Sequence, residues 1–590
     1  MFKKRCKDLM PFIMVAWASA GGAVLAQDFS TVAPKQPQIN DNSGTIKTPP
    51  LQPVPEAASK HLLDKLAGLR FVDQVQKISR DGASGSGIQI EALPLMDDAD
   101  LRKQLSAFLG KPLMTGDLPK VSKTVIDWYR ARRHPIVDVA FPEQDISTGV
   151  VQAVVTVYRL GKIKNEGNKW FSSALLKRKM NTTPGRTVDF GILQEDLTRL
   201  NRNPFRSVSA VFQRSDEVGA TDLLLKTTDR FPWRVFAGVD NSGLPVTGRD
   251  HYFAGFNAGN LFGLDHQLSY QFITSPDLWR NRSRPAGQSQ DPRFTAHSVN
   301  YLAPLPNGDA INVFGSYVQQ VPNIGPDFGQ VGHGMQVGLR YQHMLEPAGS
   351  LSHQIQFGFD YKRYDNNLAF GGTRVFGNVT KTAQFLLIYD ATRLDSYGQT
   401  ALENQLVFSP GNLLSGNNTA SFQASGVTNA KATYVYDNLQ LTRVTNLPWN
   451  ASLVARALFQ VSSGELIASE QIGAGGMDSV RGYDPRTING TQGVVTSVEL
   501  RSPPFSPLQK VLGLPDQGQL LAFWDYGLVG FQNTQTGLPR QAEVQSLGIG
   551  ARYGIGRYLD LRFDYGWQLT RAPGAAQIGN LANVSVTLSH

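Results

Sequence analysis

Cysteine is almost missing from this chain, whose 590 residues include only Cys6. Cys6 lies in an N-terminal segment that we expect to be removed, so the mature chain would hold neither a disulfide nor a thiolate metal site. The nine histidines are scattered without metal-ligand or triad spacing, and neither a G-x-S-x-G turn nor a P-loop occurs. The sequence therefore predicts no enzyme, no metal, no cofactor and no nucleotide.

Long hydrophobic runs are missing after residue 26, which excludes a helical membrane protein. Residues 1–26 combine a basic start, an apolar stretch and small residues near the end, a pattern typical of an export signal. A membrane anchor is the alternative, and Pro11 weakens it. Without this segment the formal charge falls from +9 to about +6, which is too dilute to indicate nucleic-acid binding.

Residues 27–85 are predicted to be a linker. The stretch 27–55 is rich in Pro, Gln, Asn, Ser and Thr, which is typical of an extended, poorly ordered chain. Leucines then recur at helical spacing between residues 56 and 69, so a short amphipathic helix is expected there. That helix could be a plug, a docking helix or a piece of a domain core.

Two α/β units of similar size follow, at residues 86–158 and 159–230. The first reads as strand (IQIEAL), two helices (DDADLRKQLSAFLG and LPKVSKTVIDWYRARRH) and two strands. The second repeats the same order from GKIKNEGN to TDLLLKTTD. Such a repeat is typical of a tandem binding array, and two unrelated α/β domains are the alternative.

From residue 231 to residue 590 the periodicity changes to strict alternation. MQVGLRYQ (335–342) and QIQFGFDY (354–361) place apolar and polar residues on opposite faces, and the same pattern recurs to the C-terminus. A soluble sandwich can alternate in this way, but a closed transmembrane barrel also explains the aromatic-rich outer face and the export signal. At about 22 residues per strand and connection, the region would form about 16 antiparallel strands in contact with outer-membrane lipid.

Five motifs in a fixed order carry a resemblance to a known family. They are FPEQDISTGVVQ (141–152), DNSGLPVTGRD (240–250), NLFGLDHQLSYQF (260–272), VRGYDPRTINGTQG (480–493) and LAFWDYG (521–527). Together with two α/β repeats before a barrel, they resemble the outer-membrane transporters of two-partner secretion, the hemolysin secretion and activation family. The resemblance implies that the chain translocates, and in some members activates, a partner exoprotein.

The resemblance also assigns roles to the α/β units. They resemble POTRA domains, which would lie in the periplasm and receive unfolded cargo, and a small sheet with a free edge can accept an extended chain by strand addition. Candidate residues lining a groove beside such an edge are Ile126 and Tyr129 in the first unit and Leu197 and Leu200 in the second. Alternatively, these four are core residues of their own domains.

The VRGY motif, Val480, Arg481, Gly482 and Tyr483, would fold into the barrel lumen as a gating loop, as the resemblance implies. The resemblance also implies that Arg481 pairs with a carboxylate of the inner wall, and the matching position is Asp525. Alternation supports this assignment, since it puts Phe523, Asp525 and Gly527 on one face and Trp524 and Tyr526 on the other. Arg481 could also lie against the ring of Phe523. The alternative is an ordinary exposed loop arginine. The carboxylates of Asp560 and Asp564 are interpreted as polar groups of the lumen.

Two other functions stay open at this level. An assembly factor that inserts other barrels would share the luminal loop, although such factors usually carry more receptor repeats. A diffusion pore or surface receptor would need neither tandem periplasmic domains nor VRGY. The barrel-assembly machinery is an expected partner during biogenesis, and the chain ends in Ser589 and His590 where an aromatic residue often stands in such barrels.

Overall fold

The structure is a computed structural model that describes residues 29–37, 45–47, 60–134, 136–279, 284, 288–325, 327–370, 373–535 and 539–590. The predicted export signal lies outside these ranges. The chain divides into two compact units, one formed by Met1–Gln38 with Pro232–His590 and the other by Ile39–Phe231. No helix of the described residues is both long enough and apolar enough to cross a membrane. The first elements along the chain are helix α1 (Phe29–Val32) and strand β1 (Ile46–Lys47).

The unit Ile39–Phe231 contains two small α/β domains. The first comprises β2 (His61–Leu63), β3 (Gly68–Val72), β4 (Gly87–Glu91), α2 (Ala99–Ser106), β5 (Leu113–Met114), α3 (Leu118–Ala131), β6 (Val137–Ala140) and β7 (Val150–Val157). Its main sheet has the order β4-β3-β7-β6. The side chain of Asp98 accepts a hydrogen bond from the backbone N–H of Asp100, which caps α2. The apolar face of α3 packs against the sheet through residues such as Val121 and Val125.

The second small domain comprises β8 (Arg159–Glu166), α4 (Ser173–Arg178), α5 (Phe190–Leu200), β9 (Arg206–Arg214) and β10 (Ala220–Asp229). Its sheet has the order β1-β9-β10-β8, so the short strand β1 lies at one edge and is parallel to β9. In each domain the last strand has one parallel and one antiparallel neighbour: β10 lies between β8 and β9, and β7 lies between β3 and β6. The two domains therefore share this arrangement of three strands, whereas the fourth strand differs, since β4 pairs with β3 and β1 pairs with β9.

The prediction of a helix between residues 56 and 69 is wrong for residues 60–69, the part of this stretch that the structure describes. Residues 61–72 form β2 and β3 instead, and β3 is a central strand of the first domain with Leu69 and Phe71 fully buried. The leucine spacing suited a helix, but Gly68 lies so close to β4 that an added Cβ would be 3.1 Å from the carbonyl oxygen of Gly87. The linker therefore ends earlier than residue 85, and the first domain begins before residue 86.

The barrel contains 16 strands in one closed antiparallel sheet, as the alternation predicted. In order of sequence they are β11 (Trp233–Asp240), β12 (His251–Leu261), β13 (His266–Thr274), β14 (Phe294–Pro304), β15 (Ala310–Gln320), β16 (Phe328–Met344), β17 (Leu351–Phe370), β18 (Thr373–Asp395), β19 (Gly398–Pro410), β20 (Thr433–Asn446), β21 (Ser452–Ser462), β24 (Gln492–Arg501), β25 (Asp516–Gly530), β26 (Gln541–Ile555), β27 (Leu559–Gln568) and β28 (Asn580–Ser589). Between β21 and β24 lies a hairpin of β22 (Ile472–Ala474) and β23 (Ile488–Gly490). Two short helices, α6 (Thr419–Gln423) and α7 (Pro507–Leu512), lie in connections between strands.

The two faces of the barrel differ in chemistry because side chains alternate along each strand. On β16 the apolar side chains of Val337, Leu339 and Tyr341 are exposed on the outside, whereas those of Gln336 and Arg340, at alternate positions, are buried on the inside. The ladder is complete because β11 pairs with β28, so every strand has two neighbours. Closure removes free sheet edges, which is the condition for strands to lie in lipid.

Candidate functional site: a loop bound to the inner wall

The connection between β21 and β24, residues 463–491, is the luminal loop. Its β22–β23 hairpin ends in a tip that contains the VRGY motif. The tip turns at Gly475 and Gly476, whose φ angles of +117° and +107° are rare for other residues. An added Cβ on Gly475 would lie 2.4 Å from the carbonyl oxygen of Asp484. The GAGG sequence before the motif is therefore needed to fold the tip tightly.

Arg481 is the centre of the site. Its Nε and Nη2 atoms each donate a hydrogen bond of 2.8 Å to Asp525, and its backbone N–H donates a third, of 3.0 Å. Nη1 lies 2.8 Å from a carboxylate oxygen of Glu499 and 3.4 Å from one of Asp564. The guanidinium carbon lies 3.5 Å from the ring centroid of Phe523. The contact predicted with Asp525 is present, and two further carboxylates complete it.

These four charged residues, Arg481 with Glu499, Asp525 and Asp564, are here called the latch. The carboxylates come from three strands, β24, β25 and β27, so the latch connects the loop to a continuous part of the wall. All four side chains are at most 3% exposed. Since charges so removed from water interact strongly and are costly to separate, the latch holds the tip in one position.

Four arginines of the wall surround the latch. Arg456 and Arg501 contact Glu499, and Arg552 and Arg562 contact Asp564. Asp525 differs, because Arg481 is its sole basic partner among the described residues. The carboxylate of Asp525 thus depends on the loop for its countercharge, whereas the other two have their own.

The other residues of the motif fit the wall by shape. Val480 is fully buried in an apolar cluster with Val495 and Val544. An added Cβ on Gly482 would lie 2.9 Å from the carbonyl oxygen of Gly566, so the two glycine backbones touch. The hydroxyl of Tyr483 lies 2.6 Å from the carbonyl oxygen of Thr570 and 2.8 Å from that of Gln545.

Gly527, predicted to share the face of Asp525, leaves room for the loop. An added Cβ there would lie 2.5 Å from the Cβ of Ala474 in β22. Two ion pairs add to the attachment of the tip: Asp484 accepts hydrogen bonds of 2.9 and 3.0 Å from Arg249, and Asp478 pairs with Arg562. The tip is therefore bound by charge and by close backbone packing together.

A second segment lies against the inner wall. Val32 of α1 packs in a cluster with Phe236, Phe253 and Phe294, among others. Lys35 lies over the ring of Phe253, 4.0 Å from its centroid, and its ammonium is 3.3 Å from Ser585 Oγ on β28. The prediction of a poorly ordered linker is wrong for residues 29–37, because these contacts hold the segment in place. Neither periodicity nor charge pattern distinguishes so short a segment.

The four candidate cargo residues do not line a groove. Ile126 and Tyr129 lie in the core of the first small domain, and Leu197 and Leu200 lie in that of the second, all at most 5% exposed. The prediction that they line an open groove is wrong, and the alternative that they are core residues is correct. Their helical spacing marks a buried face, which a sequence pattern does not distinguish from a binding face.

Comparison with known proteins identifies the family. Residues 219–553 match the family described as "Haemolysin secretion/activation protein ShlB/FhaC/HecB", and residues 85–157 match the "POTRA domain, ShlB-type". The chain belongs to the haemolysin secretion/activation family. A member of this family is a secretion transporter of the outer membrane, so the alternative of a barrel-assembly factor is not favoured.

Individual relatives of this family are distant in sequence. The heme/hemopexin transporter protein HuxB of Haemophilus influenzae is 24% identical over 470 residues, which cover 76% of this chain and 77% of the relative. The outer membrane transporter CdiB-2 of Burkholderia pseudomallei is 22% identical, with 75% and 74% covered. The solved structure of CdiB from Escherichia coli aligns with a TM-score of 0.71 at 17% identity, over 92% of this chain and 93% of that one. Family and fold agree that this is a two-partner secretion transporter with a POTRA domain in the periplasm and a barrel in the outer membrane.

Proposed function

We propose that this transporter is a passive conduit, in which the small domains bind an extended exoprotein and the luminal loop gates its passage through the barrel. The observation that carries the proposal is the latch. A buried arginine shared by three wall carboxylates has a large free-energy difference between its bound and released positions, as a two-state gate requires.

Cargo recognition by strand addition is supported by the sheets of the small domains. Strand β4 is an edge strand of the first domain, and each of its residues is partly exposed. In the second domain the edge of β9 already accepts a strand from the chain itself, since Ile46 and Lys47 pair with Ala210 and Val211. Pairing through main-chain groups recognises extended backbone more than a particular sequence, which suits an unfolded cargo.

The direction of transport needs no motor in this proposal. The sequence contains no P-loop, so the cargo would move without nucleotide, and folding of the cargo outside the cell would bias its movement outward. Activation of the exoprotein, which the family description includes, would then follow from its folding during release.

The test is secretion of a candidate exoprotein, ideally one encoded beside this gene, by cells that make the wild type, Arg481→Ala or the control Arg443→Ala. Arg443 forms an ion pair with Asp395 that is partly exposed and outside the luminal loop. We expect secretion by the wild type and the control and a strong loss in Arg481→Ala at equal barrel abundance. Unchanged secretion in Arg481→Ala would contradict the gating role. Loss of other outer-membrane proteins on gene deletion, without secretion by the wild type, would favour an assembly factor.

A further inference from the structure

The stem of the luminal loop contains a buried ion pair that is separate from the latch. Glu470 precedes β22, and both of its carboxylate oxygens lie 3.1 Å from the ammonium of Lys362 on β17. The two side chains are 0% and 3% exposed. The hydroxyl of Tyr436 donates a hydrogen bond of 2.9 Å to Glu470, and so does that of Ser469. The carboxylate is thus bound from the wall on one side and from its own loop on the other.

This pair contacts a different part of the wall from the latch. Lys362 lies on β17 and Tyr436 on β20, whereas the carboxylates of the latch lie on β24, β25 and β27. Five strands, β18 to β21 and β24, lie between β17 and β25 in the closed sheet. At their nearest, the two sets are separated by β21, which lies between β20 and β24. The loop is therefore attached at two places on the circumference of the barrel, and its hairpin packs against β24, β25 and β26, on the side of the latch.

Apolar contacts strengthen the attachment of the stem. Leu466 and Ile467 are buried with Ile388, Phe422 and Tyr434 in one cluster. The cluster around the tip is formed by other residues, including Val480, Tyr483 and Val544. The part of the stem before β22 therefore has its own apolar surroundings and its own ion pair, whereas Ile472 and Ala474 belong to the cluster around the tip. Arg486 of the tip also donates hydrogen bonds to backbone carbonyl oxygens of the stem, so the two attachments are coupled through these contacts but their ion pairs have no partner in common.

We infer that Lys362 and Glu470 are positioning residues that form a second attachment of the luminal loop, independent of Arg481. The inference rests on the proposed gating function in one respect: if the loop must leave the lumen for cargo to pass, both attachments must break. Release of the tip alone leaves the stem on β17 and β20. Release of the stem alone leaves Arg481 among its carboxylates.

Hydrogen exchange of the purified full chain in detergent, measured by mass spectrometry, tests the independence. Amides of the stem before β22 (463–471) and of the tip (475–487) are compared in the wild type, Lys362→Met, Glu470→Gln and Arg481→Ala. We expect exchange in the stem to rise by about tenfold or more in the first two variants and in the tip to stay within about twofold. Arg481→Ala should give the reverse. Asp395→Asn, which breaks a partly exposed ion pair on the same barrel, should change neither segment.

Two further variants separate charge from shape and guard against misfolding. Lys362→Arg keeps the positive charge and should retain most of the protection of the stem. The double variant Lys362→Met with Glu470→Gln leaves neither charge unpaired, so it should fold as a closed barrel even if a single variant does not. Its stem should still exchange faster than that of the wild type.

Three results would overturn the inference: stem protection unchanged in both single variants, tip and stem released together by either one, or Lys362→Arg no better than Lys362→Met. Each is read without any cargo. If the protein exports no exoprotein but its variants show the expected changes in hydrogen exchange, the proposed function is refuted and the second attachment is supported. If secretion depends on Arg481 but Lys362→Met leaves exchange in the stem unchanged, the second attachment is refuted and the proposed function is supported.

Discussion

Replacing Arg481 by alanine removes a single guanidinium that contacts Asp525, Glu499 and Asp564 together. Glu499 and Asp564 keep other arginines, but Asp525, which is fully buried, loses its sole basic partner among the described residues. Breaking one side of a buried ion pair typically costs about 3–5 kcal/mol. We take the lower value because two of the three carboxylates stay paired, and about 3 kcal/mol corresponds to about a 100-fold larger fraction of released loop.

A thiol at Ser479 makes this fraction measurable. The Oγ of Ser479 is buried and has no hydrogen-bond partner among the described residues, so Ser479→Cys places a thiol there without removing a bond. In a Cys6→Ser background the chain has no other cysteine, and the rate of labelling by a water-soluble maleimide follows the released fraction when opening and closing are fast. We expect labelling about 100-fold faster in Arg481→Ala than in the control Arg443→Ala.

The same assay can refute the reasoning. Labelling of Arg481→Ala within about twofold of the control would mean that the latch does not hold the tip. Arg481→Lys is expected to label nearly as fast as the alanine variant, because an ammonium cannot reproduce the planar fork that reaches three carboxylates. Full protection by lysine would show that charge alone is sufficient and that the geometry of the latch is not needed.

Three more predictions concern other parts of the chain. Gly482 has a φ of +90° and no space for a Cβ, so Gly482→Ala should destabilise the bound position of the tip by about 1–2 kcal/mol and speed the labelling of Ser479→Cys. Gly574 also has a positive φ but has open space around it, so Gly574→Ala should leave the labelling rate unchanged. Val32→Asp puts a carboxylate into an apolar cluster, so it should detach α1 from the wall and raise the conductance of the barrel in planar bilayers. Unchanged conductance would mean that α1 does not obstruct the lumen. The backbone N–H of Lys162 and the ammonium of Lys164 lower the pKa of Asp222 to about 2 from its ordinary 3.8. Because the folded pKa is the lower one, its stabilisation of the second small domain is complete above about pH 4 and lost toward pH 2. Hydrogen exchange of β9 and β10 should show this loss in the wild type and not in Asp222→Asn.

The sequence predicts the barrel well because lipid and closure impose one local rule on every strand. Strict alternation identifies the outward residues Val337, Leu339 and Tyr341 without any knowledge of neighbouring strands. The same alternation puts Asp525 on the inner face, and the VRGY motif supplies Arg481. The fold class and the number of strands therefore follow from local pattern, whereas the contact between Arg481 and Asp525 comes from the family resemblance, which the alternation supports.

The rest depends on strand register, which local pattern does not carry. Glu499 lies beside Phe523 and Ser497 beside Asp525 because β24 and β25 pair in that register, so Glu499 and Asp525 approach the same guanidinium. Lys362 and Glu470 are 108 residues apart in the chain and are brought into contact by the tertiary fold. Many charged side chains point inward, and alternation alone does not say which of them pair.

The first small domain shows a different limit. Leucines at residues 62, 63, 66 and 69 fit a helical face, yet the segment forms β2, a turn and β3. Leu66 and Leu69 are buried here, as they would be on the apolar face of a helix. Hydrophobic spacing over so short a stretch therefore does not distinguish a helix from two strands. The close approach of Gly68 to Gly87, which decides for a strand, is a tertiary contact.

The latch also depends on how much of the barrel is in place. Arg481 precedes all three of its carboxylates in the chain, and Asp564, the last of them, lies on β27, the last strand but one. A sheet that lacked any one of β24, β25 and β27 would leave Arg481 without Glu499, Asp525 or Asp564. The tip can therefore make its full set of ion pairs only when all three strands of the C-terminal part of the barrel are in place, whatever the order in which they are added.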